Sequence, residues 1–429
     1  MKYFTFLLIL GLAGSGNFSF GNKIYGGNDT LMYAPADWFN LDPEKDNCIG
    51  VSTNRAYNEL LKGKKSSKVV VAILDSGVDF NHEDLKGHIW TNTGEIPGNG
   101  IDDDKNGYID DVHGWNFIEQ NEDTEVKHGI TPSTASVPGD NDKTTKDVVT
   151  SVTGENAAAS VSELGSAERF YGNSSVAGPG ANHGTHVSGI VAASRINNEG
   201  INGIAENVEI MILRVVPDGH EKDRDVANAV FYAVNNGAKI INMSFGKDYT
   251  TDKEYVDQAV RYAETNNVLI VHAAGNYSDD NDAVTFYPSR NYKSGGQCKS
   301  WIEVGAVSWE NGASMVASFT NYGKSSVDLF APGVDIRSTI PDQKYRKLNG
   351  TSMAAPMVTG VAALVWSYYP QLSACELKSV LLESTVKPDV DMVFLPGDSS
   401  KKVHFSDLCS TGGVVNAFKA LKLAEQVNQ

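Results

Sequence analysis

Residues 209–243 read EIMILRVVPDGHEKDRDVANAVFYAVNNGAKIINM, in which an amphipathic stretch separates two short apolar runs. The runs at 209–216 and 239–243 are rich in β-branched residues, which is typical of parallel strands buried on both faces. The stretch between them carries apolar residues at the spacing of one helix face, namely Val226, Ala229, Val230, Ala233 and Val234. Gly237 then supplies a helix stop signal. The pattern predicts a strand, a helix and a second strand.

The same alternation continues on both sides of this stretch. Further apolar runs of strand length lie at 69–74, 268–272 and 302–307, and a second amphipathic helix pattern covers 256–263. Strands that alternate with helices predict an α/β fold, with a doubly wound, mainly parallel sheet covered by helices on both faces. In such sheets ligands bind beyond the carboxyl ends of the strands.

Length and composition narrow the classes of function. The 429 residues are 41% hydrophobic and 21% charged, so the chain has enough apolar residues for a large core. Acidic residues outnumber basic ones 53 to 36, which gives a net charge of −17. Nucleic acids and anionic membranes need clustered basic residues, so the charge argues against both as main partners. It suits an extracellular, cation-binding protein, and four cysteines are too few for a disulfide-built scaffold.

The termini and one insertion divide the chain into regions. Residues 1–20 contain Lys2, an apolar run and then small residues, which predicts a signal peptide and an exported protein that is secreted, periplasmic or held at the cell surface. No later segment is long and apolar enough to span a membrane. Residues 21–68 form an N-terminal arm with one amphipathic helix, and 69–429 form the main domain. Within that domain, 119–182 is predicted to be a surface insertion, with weak helical character only at 155–168.

Four polar residues are candidates for chemistry, and two of them, Asp75 and Asn276, follow apolar runs at the same edge of the predicted sheet. Asp75 ends the first apolar run in LDSGV, and Asn276 closes VHAAGN after another. His183 opens the helix-like HGTHVSGIVAA, and Ser352 begins a helix that is apolar on nearly all sides in GTSMAAPMVTGVAALVW. Each alone has an ordinary explanation, such as a turn aspartate or a serine cap. Together they supply a nucleophile, a base, an orienting carboxylate and an amide donor.

The helix that begins at Ser352 suits a site for developing negative charge. Its amino end presents unpaired N–H groups and partial positive charge. Pro356 lacks an N–H and should leave the Ser352 carbonyl without its i+4 partner. The motif is not the G-x-S-x-G elbow of α/β-hydrolases, because Ala354 replaces the last glycine. A metal shared by His183 and His186 is disfavoured, since no further ligand follows at a suitable spacing on their helix.

The strings LDSGV, HGTHVSGI, NMSFG, AAGN, FAPG and GTSMAAP occur in the order of the subtilisin-like serine endopeptidases and at roughly their spacing. The sequence resembles that family from about residue 69 to residue 421. The resemblance implies a subtilisin-like fold that hydrolyses peptide bonds of proteins or peptides through an acyl-enzyme. It implies that Ser352 is the nucleophile, that His183 transfers its proton, and that Asp75 orients and stabilises the imidazole.

The resemblance also implies how the substrate is held. The Asn276 amide and the Ser352 N–H would form the oxyanion hole. The substrate backbone would pair along 242–246, as an added strand does. The residues implied to contact the substrate are Ser244, Phe245, Gly246, Ala274 and Gly275.

Two other functions fit the same residues. An acyl transferase, or peptide ligase, would use the same triad and pass the acyl group to an amine instead of water. A catalytically silent, calcium-stabilised peptide-binding protein would keep the scaffold without the chemistry, but the intact set of four polar residues argues against it.

An acidic loop predicts a structural calcium ion, whereas catalysis needs no cofactor. In NGIDDDKNGYIDDVHGW, oxygen-bearing residues alternate and a glycine follows at the sixth position, as in the opening of a calcium loop. Adjacent carboxylates repel one another unless a cation is bound. A second site uses Asp84 with backbone oxygens of 197–202. The predicted ligands are Asp102, Asp104, Asn106, Tyr108, Asp110, Asp111 and Asp84.

The sequence departs from the family pattern in three places. The insertion at 119–182 lengthens the span between Asp75 and His183. The arm does not look like the inhibitory pro-domain of the family. Lys247 follows SFG where many members have a small residue, which bears on side-chain preference. Of the four cysteines, Cys375 and Cys409 are the first choice for a disulfide bridge, and a monomer is expected.

Overall fold

The computed structural model describes residues 34–118 and 170–427, which are built around a sheet of seven strands. The strands are β1 (Val69–Asp75), β2 (Gly114–Asn116), β3 (Val208–Arg214), β4 (Ile240–Met243), β5 (Leu269–Ala273), β6 (Trp301–Val307) and β7 (Leu329–Pro332). Their order is β2-β3-β1-β4-β5-β6-β7, and every pairing is parallel. The sheet winds outward in both directions from β1, so the predicted doubly wound α/β fold is confirmed.

Helices cover both faces of this sheet. They are α1 (Pro43–Asp46), α2 (Thr53–Ala56), α3 (Asn182–Ala192), α4 (Asp223–Asn235), α5 (Lys253–Thr265), α6 (Thr351–Tyr368), α7 (Ala374–Glu383) and α8 (Ala417–Val427). Alternate residues of β1 face opposite sides: Val71 and Ile73 belong to the core that contains α3 and α6, and Ala72 and Leu74 belong to the core with α4 and α5.

Shorter elements complete the described chain. Two antiparallel hairpins lie outside the main sheet, β8 (Ile336–Ile340) with β9 (Lys344–Leu348) and β10 (Met392–Leu395) with β11 (Asp398–His404). Single helical turns, one of them a wide π turn, lie at Trp38–Asn40, Tyr57–Leu61, Glu83–Leu85, Gly312–Ser314 and Phe405–Asp407. None of the helices within 34–118 and 170–427 is both long and apolar enough to cross a membrane.

The described part of the arm is packed into the main domain. Its helical content is split between α1, α2 and the wide turn, whereas the sequence predicted one amphipathic helix. The Val51 carbonyl accepts a hydrogen bond from the backbone N–H of Ala417 at 2.7 Å, and the Ser52 hydroxyl accepts one from the Asn416 amide at 2.6 Å. Residues 34–68 therefore belong to the same folded unit as the sheet.

Several predicted regions fall on residues outside the described ones. The signal peptide at 1–20, the start of the arm and the helical piece at 155–168 are among them. The last part of the predicted insertion is described, and it pairs with β2: the backbones of Asn116 and Asn173 exchange hydrogen bonds of 2.9 and 3.1 Å.

The prediction of a bridge between Cys375 and Cys409 is wrong for this structure, in which all four cysteines are free. Cys375 lies exposed on α7, whereas Cys409 is buried beneath the second hairpin among apolar side chains. Burial raises the pKa of the Cys409 thiol, so it packs as a small apolar group.

Candidate active site

The carboxyl ends of β1, β4 and β5 lie side by side and bring the predicted catalytic residues to one edge of the sheet. Leu74 is in register with Met243, which is in register with His272 on β5. Asp75 ends β1, Ser244 follows β4 directly, and Asn276 lies three residues beyond β5. Parallel strands place their carboxyl ends at the same edge, as the sequence pattern indicates.

Asp75 and His183 form a direct pair. His183 lies in the first turn of α3, and its Nδ1 is 2.8 Å from Asp75 Oδ1 and 3.0 Å from Oδ2. The Asp75 side chain is almost fully buried, whereas that of His183 is 37% exposed. Because the carboxylate accepts the Nδ1 proton, the pair leaves Nε2 as the ring nitrogen available to other groups.

The charge of Asp75 sets the protonation behaviour of His183. Burial of the imidazole opposes the charged form, but the charge of Asp75 and its hydrogen bond outweigh burial, so the pKa of His183 is raised above its usual value. His186, one turn further along α3, bonds the carbonyls of Ile336 and Arg346 through Nε2 at 2.9 and 3.0 Å. Burial lowers the pKa of His186 to about 4, so it serves the structure as a neutral imidazole.

Ser352 lies in the first turn of α6, where Pro356 leaves one backbone carbonyl without its helical hydrogen bond. Ser244, directly after β4, supplies the missing donor. Without an N–H at Pro356, the Ser352 carbonyl has no i+4 donor. The Ser244 hydroxyl donates to that carbonyl at 2.9 Å. Behind it, the Asn242 amide donates to the Ser244 hydroxyl at 2.9 Å and the Thr359 hydroxyl donates to Asn242 at 2.8 Å. This chain of bonds fixes the start of α6 against the end of β4.

The Ser352 hydroxyl itself donates to the backbone carbonyl of Ser244, at an oxygen–oxygen distance of 2.8 Å. The contacts of the described residues include no hydrogen bond between Ser352 and His183. The helix that carries His183, α3, packs directly on α6. In the absence of substrate such catalytic bonds are often long or unmade. The sequence did not predict this resting position of the hydroxyl.

Thr351 orients the Asn276 amide. Its backbone N–H and its hydroxyl donate to Asn276 Oδ1 at 2.8 and 3.0 Å, which leaves the Nδ2 group as a donor. The Thr351 hydroxyl also accepts the Gly275 N–H at 3.2 Å. Gly350 has a φ of 152° just before the helix, and a Cβ built there would lie 3.6 Å from Asn276 Nδ2. Asn276 Nδ2 and the Ser352 N–H are thus the two donors near the serine.

A pocket of about 310 Å³ opens beside Ser352 and Asn276. Of the residues predicted to contact substrate, Phe245, Gly246 and Gly275 line it. Ser244 is buried below it, with its oxygens bonded to Ser352. Ala274 does not line it; this residue is fully buried and its carbonyl accepts from Asn281, and Ala273 lines the pocket instead. Phe286 also lines the pocket, and its ring packs so closely on Gly246 that a Cβ built at the glycine would lie 2.3 Å from it.

The acidic loop gathers three carboxylates. Oxygens of Glu95, Asp104 and Asp111 lie within 4.8 Å of one another. Glu95, which the sequence reading missed, is buried, and its carboxylate accepts the Asp104 N–H at 3.2 Å. Burial raises the pKa of Asp111, although hydrogen bonds from Tyr232, Asn106 and Asn92 favour the charged form, and the charge of Asp104 adds to the rise. Asp104 is exposed, whereas Glu95 and Asp111 are buried. Carboxylates this close together repel unless a proton or cation is present.

The other predicted calcium ligands hold the loop rather than join the cluster. Asp102 accepts the backbone N–H groups of Asn106 and Gly107 at 3.1 and 2.8 Å. Asp110 accepts three backbone N–H groups of residues 98–100 at 2.8 to 3.2 Å. The Asn106 amide donates to both Asp104 and Asp111 at 3.2 and 2.9 Å. The ring of Tyr108 packs among aromatic side chains.

Asp84 lies at a separate place, next to the 197–202 loop as predicted. Its carboxylate accepts hydrogen bonds from the Asn197 amide at 2.7 Å, the Ile201 N–H at 3.0 Å and the Tyr345 hydroxyl at 3.2 Å. Protein donors therefore already satisfy this carboxylate.

Four residues to which the sequence analysis gave no individual role make bonds that support the site. Thr351 orients Asn276, Asn242 donates to Ser244, Thr359 donates to Asn242, and Glu95 accepts the Asp104 N–H. Thr351 carries the one usable signal, since it stands between two residues that the motif already singles out. Asn242 and Thr359 are 117 positions apart, and no local pattern connects them.

Comparisons with known proteins bear on the family and the fold. The profile of the Subtilase family of peptidases matches residues 66–412. The chain is 42% identical over 187 residues to a thermophilic serine proteinase from a Bacillus species, a match that covers 43% of each chain. It is 29% identical over 350 residues to the major intracellular serine protease of Bacillus subtilis, covering 80% of this chain and 83% of that protein. The chain thus spans less than half the length of the first of these relatives.

A solved structure supports the fold alone. A protease from Pseudoalteromonas arctica aligns with a TM-score of 0.57 at 23% identity, over 91% of this chain and 98% of that one.

Proposed function

The chain belongs to the subtilase family, and on that premise we propose that it is a serine endopeptidase that uses Asp75, His183 and Ser352 to cleave peptide bonds of proteins. One observation carries the proposal: the Ser352 side chain, at the amino end of α6, and Asn276, with its amide oriented by Thr351, line the same pocket. The pairing of Asp75 with His183 supports it, because the pair leaves Nε2 as the free ring nitrogen of a general base.

The first half-reaction forms an acyl-enzyme. The Ser352 hydroxyl leaves the Ser244 carbonyl by rotation about one side-chain bond and turns to His183. As Oγ attacks the carbonyl carbon of the substrate, His183 Nε2 takes the hydroxyl proton. Asn276 Nδ2 and the Ser352 N–H donate to the oxyanion that forms. When the intermediate collapses, the C–N bond breaks and His183 gives its proton to the departing amine.

The second half-reaction releases the acyl group to water. His183 removes a proton from water while the oxygen attacks the acyl carbon. The ester bond then breaks, and the proton returns to Ser352 Oγ. The raised pKa of His183 supports this role, because Asp75 stabilises the cation that each half-reaction forms.

Loss of the nucleophile tests the proposal. Ser352→Ala should abolish casein hydrolysis and labelling by a fluorophosphonate, while a thermal melt shows that the variant is still folded. Ser379→Ala is the matched control, since this exposed serine on α7 bonds only the carbonyl one turn back. Casein hydrolysis that survives Ser352→Ala would refute the assignment. If wild type is labelled but only joins acyl donors to added amines, the acyl transferase replaces the peptidase.

We also propose that the acidic loop binds one structural calcium ion through Glu95, Asp104 and Asp111. The convergence of the three carboxylates supports this, and oxygen ligands are those that calcium prefers. Asp102 and Asp110 would shape the loop through the backbone bonds that they already accept. Titration calorimetry of EDTA-treated protein should register calcium binding, and absence of both heat and a rise in melting temperature would refute the site.

We further propose that the protein is exported and acts outside the cytoplasm as a monomer. The basic start and apolar run at residues 1–20 support export. Expression of the full chain in a secreting host should release a protein that lacks these residues. Full-length protein retained inside the cells would contradict the proposal, and light scattering would give the oligomeric state.

A further inference from the structure

The pocket beside Ser352 has a second wall to which the proposed mechanism gives no role. The loop between β3 and α4 contributes Gly219, His220 and Glu221, which line the same pocket as Ser352 and Asn276. A ligand that reaches the serine therefore also meets this loop.

Glu221 is an unusual residue to find in this wall. Glu221 is only 4% exposed, and its carboxylate oxygen Oε1 is buried with no hydrogen-bond partner among the described residues. Burial of a carboxylate oxygen without a partner is costly, so such groups normally have a complementary donor. Burial raises the pKa of Glu221, and a hydrogen bond with its own backbone and the charges of Lys247, His220 and His272 offset that rise only in part.

The neighbouring cation is engaged elsewhere. Lys247 Nζ forms an ion pair with Asp223 Oδ1 at 2.9 Å and donates to the backbone carbonyl of Glu221 at 2.5 Å. The other oxygen of Asp223 accepts the backbone N–H groups of Thr251 and Asp252, each at 2.7 Å. Asp223 and Lys247 therefore pair with each other, and Oε1 of Glu221 is left without a hydrogen-bond partner among the described residues.

The rest of the lining suits the flat cation that would complement this acid. Phe245, Tyr277 and Phe286 all line the pocket, and the rings of Tyr277 and Phe286 lie 6.0 Å apart. Aromatic faces attract guanidinium and ammonium groups. The volume of about 310 Å³ is at the small end of ligand pockets, which suits one long side chain.

We propose that Glu221 makes this pocket a subsite for a basic side chain of the substrate, with arginine preferred over lysine. The guanidinium is planar, so it stacks on rings and pairs with a carboxylate through two hydrogen bonds. Phe245 and Gly246 bound the pocket, and the substrate backbone is expected to pair along this segment. The basic residue therefore occupies one of the four positions on the amino side of the scissile bond. This inference rests on the proposed peptidase function.

A positional scan with paired peptides tests the inference. Each pair differs only in arginine or citrulline, which has nearly the same shape without the charge, at one of the four positions. At one position kcat/KM should favour arginine by about 10-fold to 100-fold, the range of a hydrogen bond to a charged group. Glu221→Gln should bring that ratio close to one while citrulline peptides are still cleaved. Glu383→Gln, at an exposed site on α7, should keep the wild-type ratio.

The outcomes separate this inference from the peptidase proposal. If wild type cleaves the peptides without preferring arginine at any position, the subsite is refuted and the peptidase stands. The same holds if Glu221→Gln keeps the preference. If wild type cleaves none of the peptides and no casein, the peptidase proposal itself fails. A thermal melt of Glu221→Gln ensures that a lost preference is read on folded protein.

Discussion

Replacing Ser244 with alanine should destabilise the protein through the start of α6. The substitution removes the hydroxyl that donates to the Ser352 carbonyl, which Pro356 deprives of its helical partner. It also removes the acceptor of the Asn242 amide. Each buried polar group left without a partner costs roughly 1–3 kcal/mol. If the two costs add, the free energy of unfolding should fall by about 2–6 kcal/mol.

The same reasoning predicts that the effect depends on Pro356. In a Pro356→Ala protein the helix regains an N–H that donates to the Ser352 carbonyl. Ser244→Ala then leaves only the Asn242 amide unpaired, so its cost should shrink by about 1–3 kcal/mol. A double-mutant cycle isolates this difference, because both residues meet at one carbonyl.

The four variants of the cycle should be made in a Ser352→Ala background, so that self-digestion does not distort the measurement. Urea unfolding with calcium present, followed by tryptophan fluorescence, gives each free energy of unfolding. Ser379→Ala serves as control and should change that energy by less than about 0.5 kcal/mol, as exposed sites do. A coupling energy below about 0.5 kcal/mol between Ser244→Ala and Pro356→Ala would refute the idea that the Ser244 hydroxyl replaces the N–H that Pro356 lacks.

Three further predictions concern activity and calcium. Asn276→Ala should lower kcat by about 10²–10³, the cost of losing one such donor in the related subtilisin, and an effect confined to KM would contradict an oxyanion role. Activity needs neutral His183, whose pKa Asp75 raises against the opposing effect of burial, so kcat/KM should rise with pH through that pKa; Asp75→Asn should move the rise to lower pH. Asp111→Asn should abolish the rise in melting temperature that calcium causes, whereas Glu383→Gln, which removes an exposed carboxylate on α7, should retain it.

The fold was predictable because its signals are local. Each long strand of the sheet is a continuous apolar run, and the helices between them carry one apolar stripe, so the period of hydrophobicity identifies both. The short edge strands β2 and β7 and the two hairpins escaped prediction, since their pairing depends on partners elsewhere in the chain. For β9 (Lys344–Leu348), most residues are exposed and no apolar pattern distinguishes the strand.

The sequence predicted those residues of the candidate site that stand inside a recognisable motif. Asp75, His183, Ser352 and Asn276 lie at strand or helix ends that the motifs mark. The hydrogen bonds that hold these residues in place often involve residues distant in sequence. No local sequence pattern shows which side chain donates to which acceptor. The acidic loop shows the same limit, because its alternating pattern predicted several calcium ligands. In the structure Asp102 and Asp110 accept hydrogen bonds from backbone amides instead. Glu95, which is not part of the alternating pattern, lies with Asp104 and Asp111.

Two buried polar atoms near the carboxyl edge of the sheet differ in whether the protein supplies them with a hydrogen-bond partner. At the start of α6, Pro356 breaks the helical hydrogen bonding, and Ser244 satisfies the freed carbonyl from within the protein. In the wall of the pocket, Glu221 lacks a partner for one carboxylate oxygen, and no described residue supplies it. A defect that the protein repairs itself is structural, so substitution there should change unfolding. In the wall of the pocket a ligand can supply the missing partner, so substitution at Glu221 should change which peptides are cleaved.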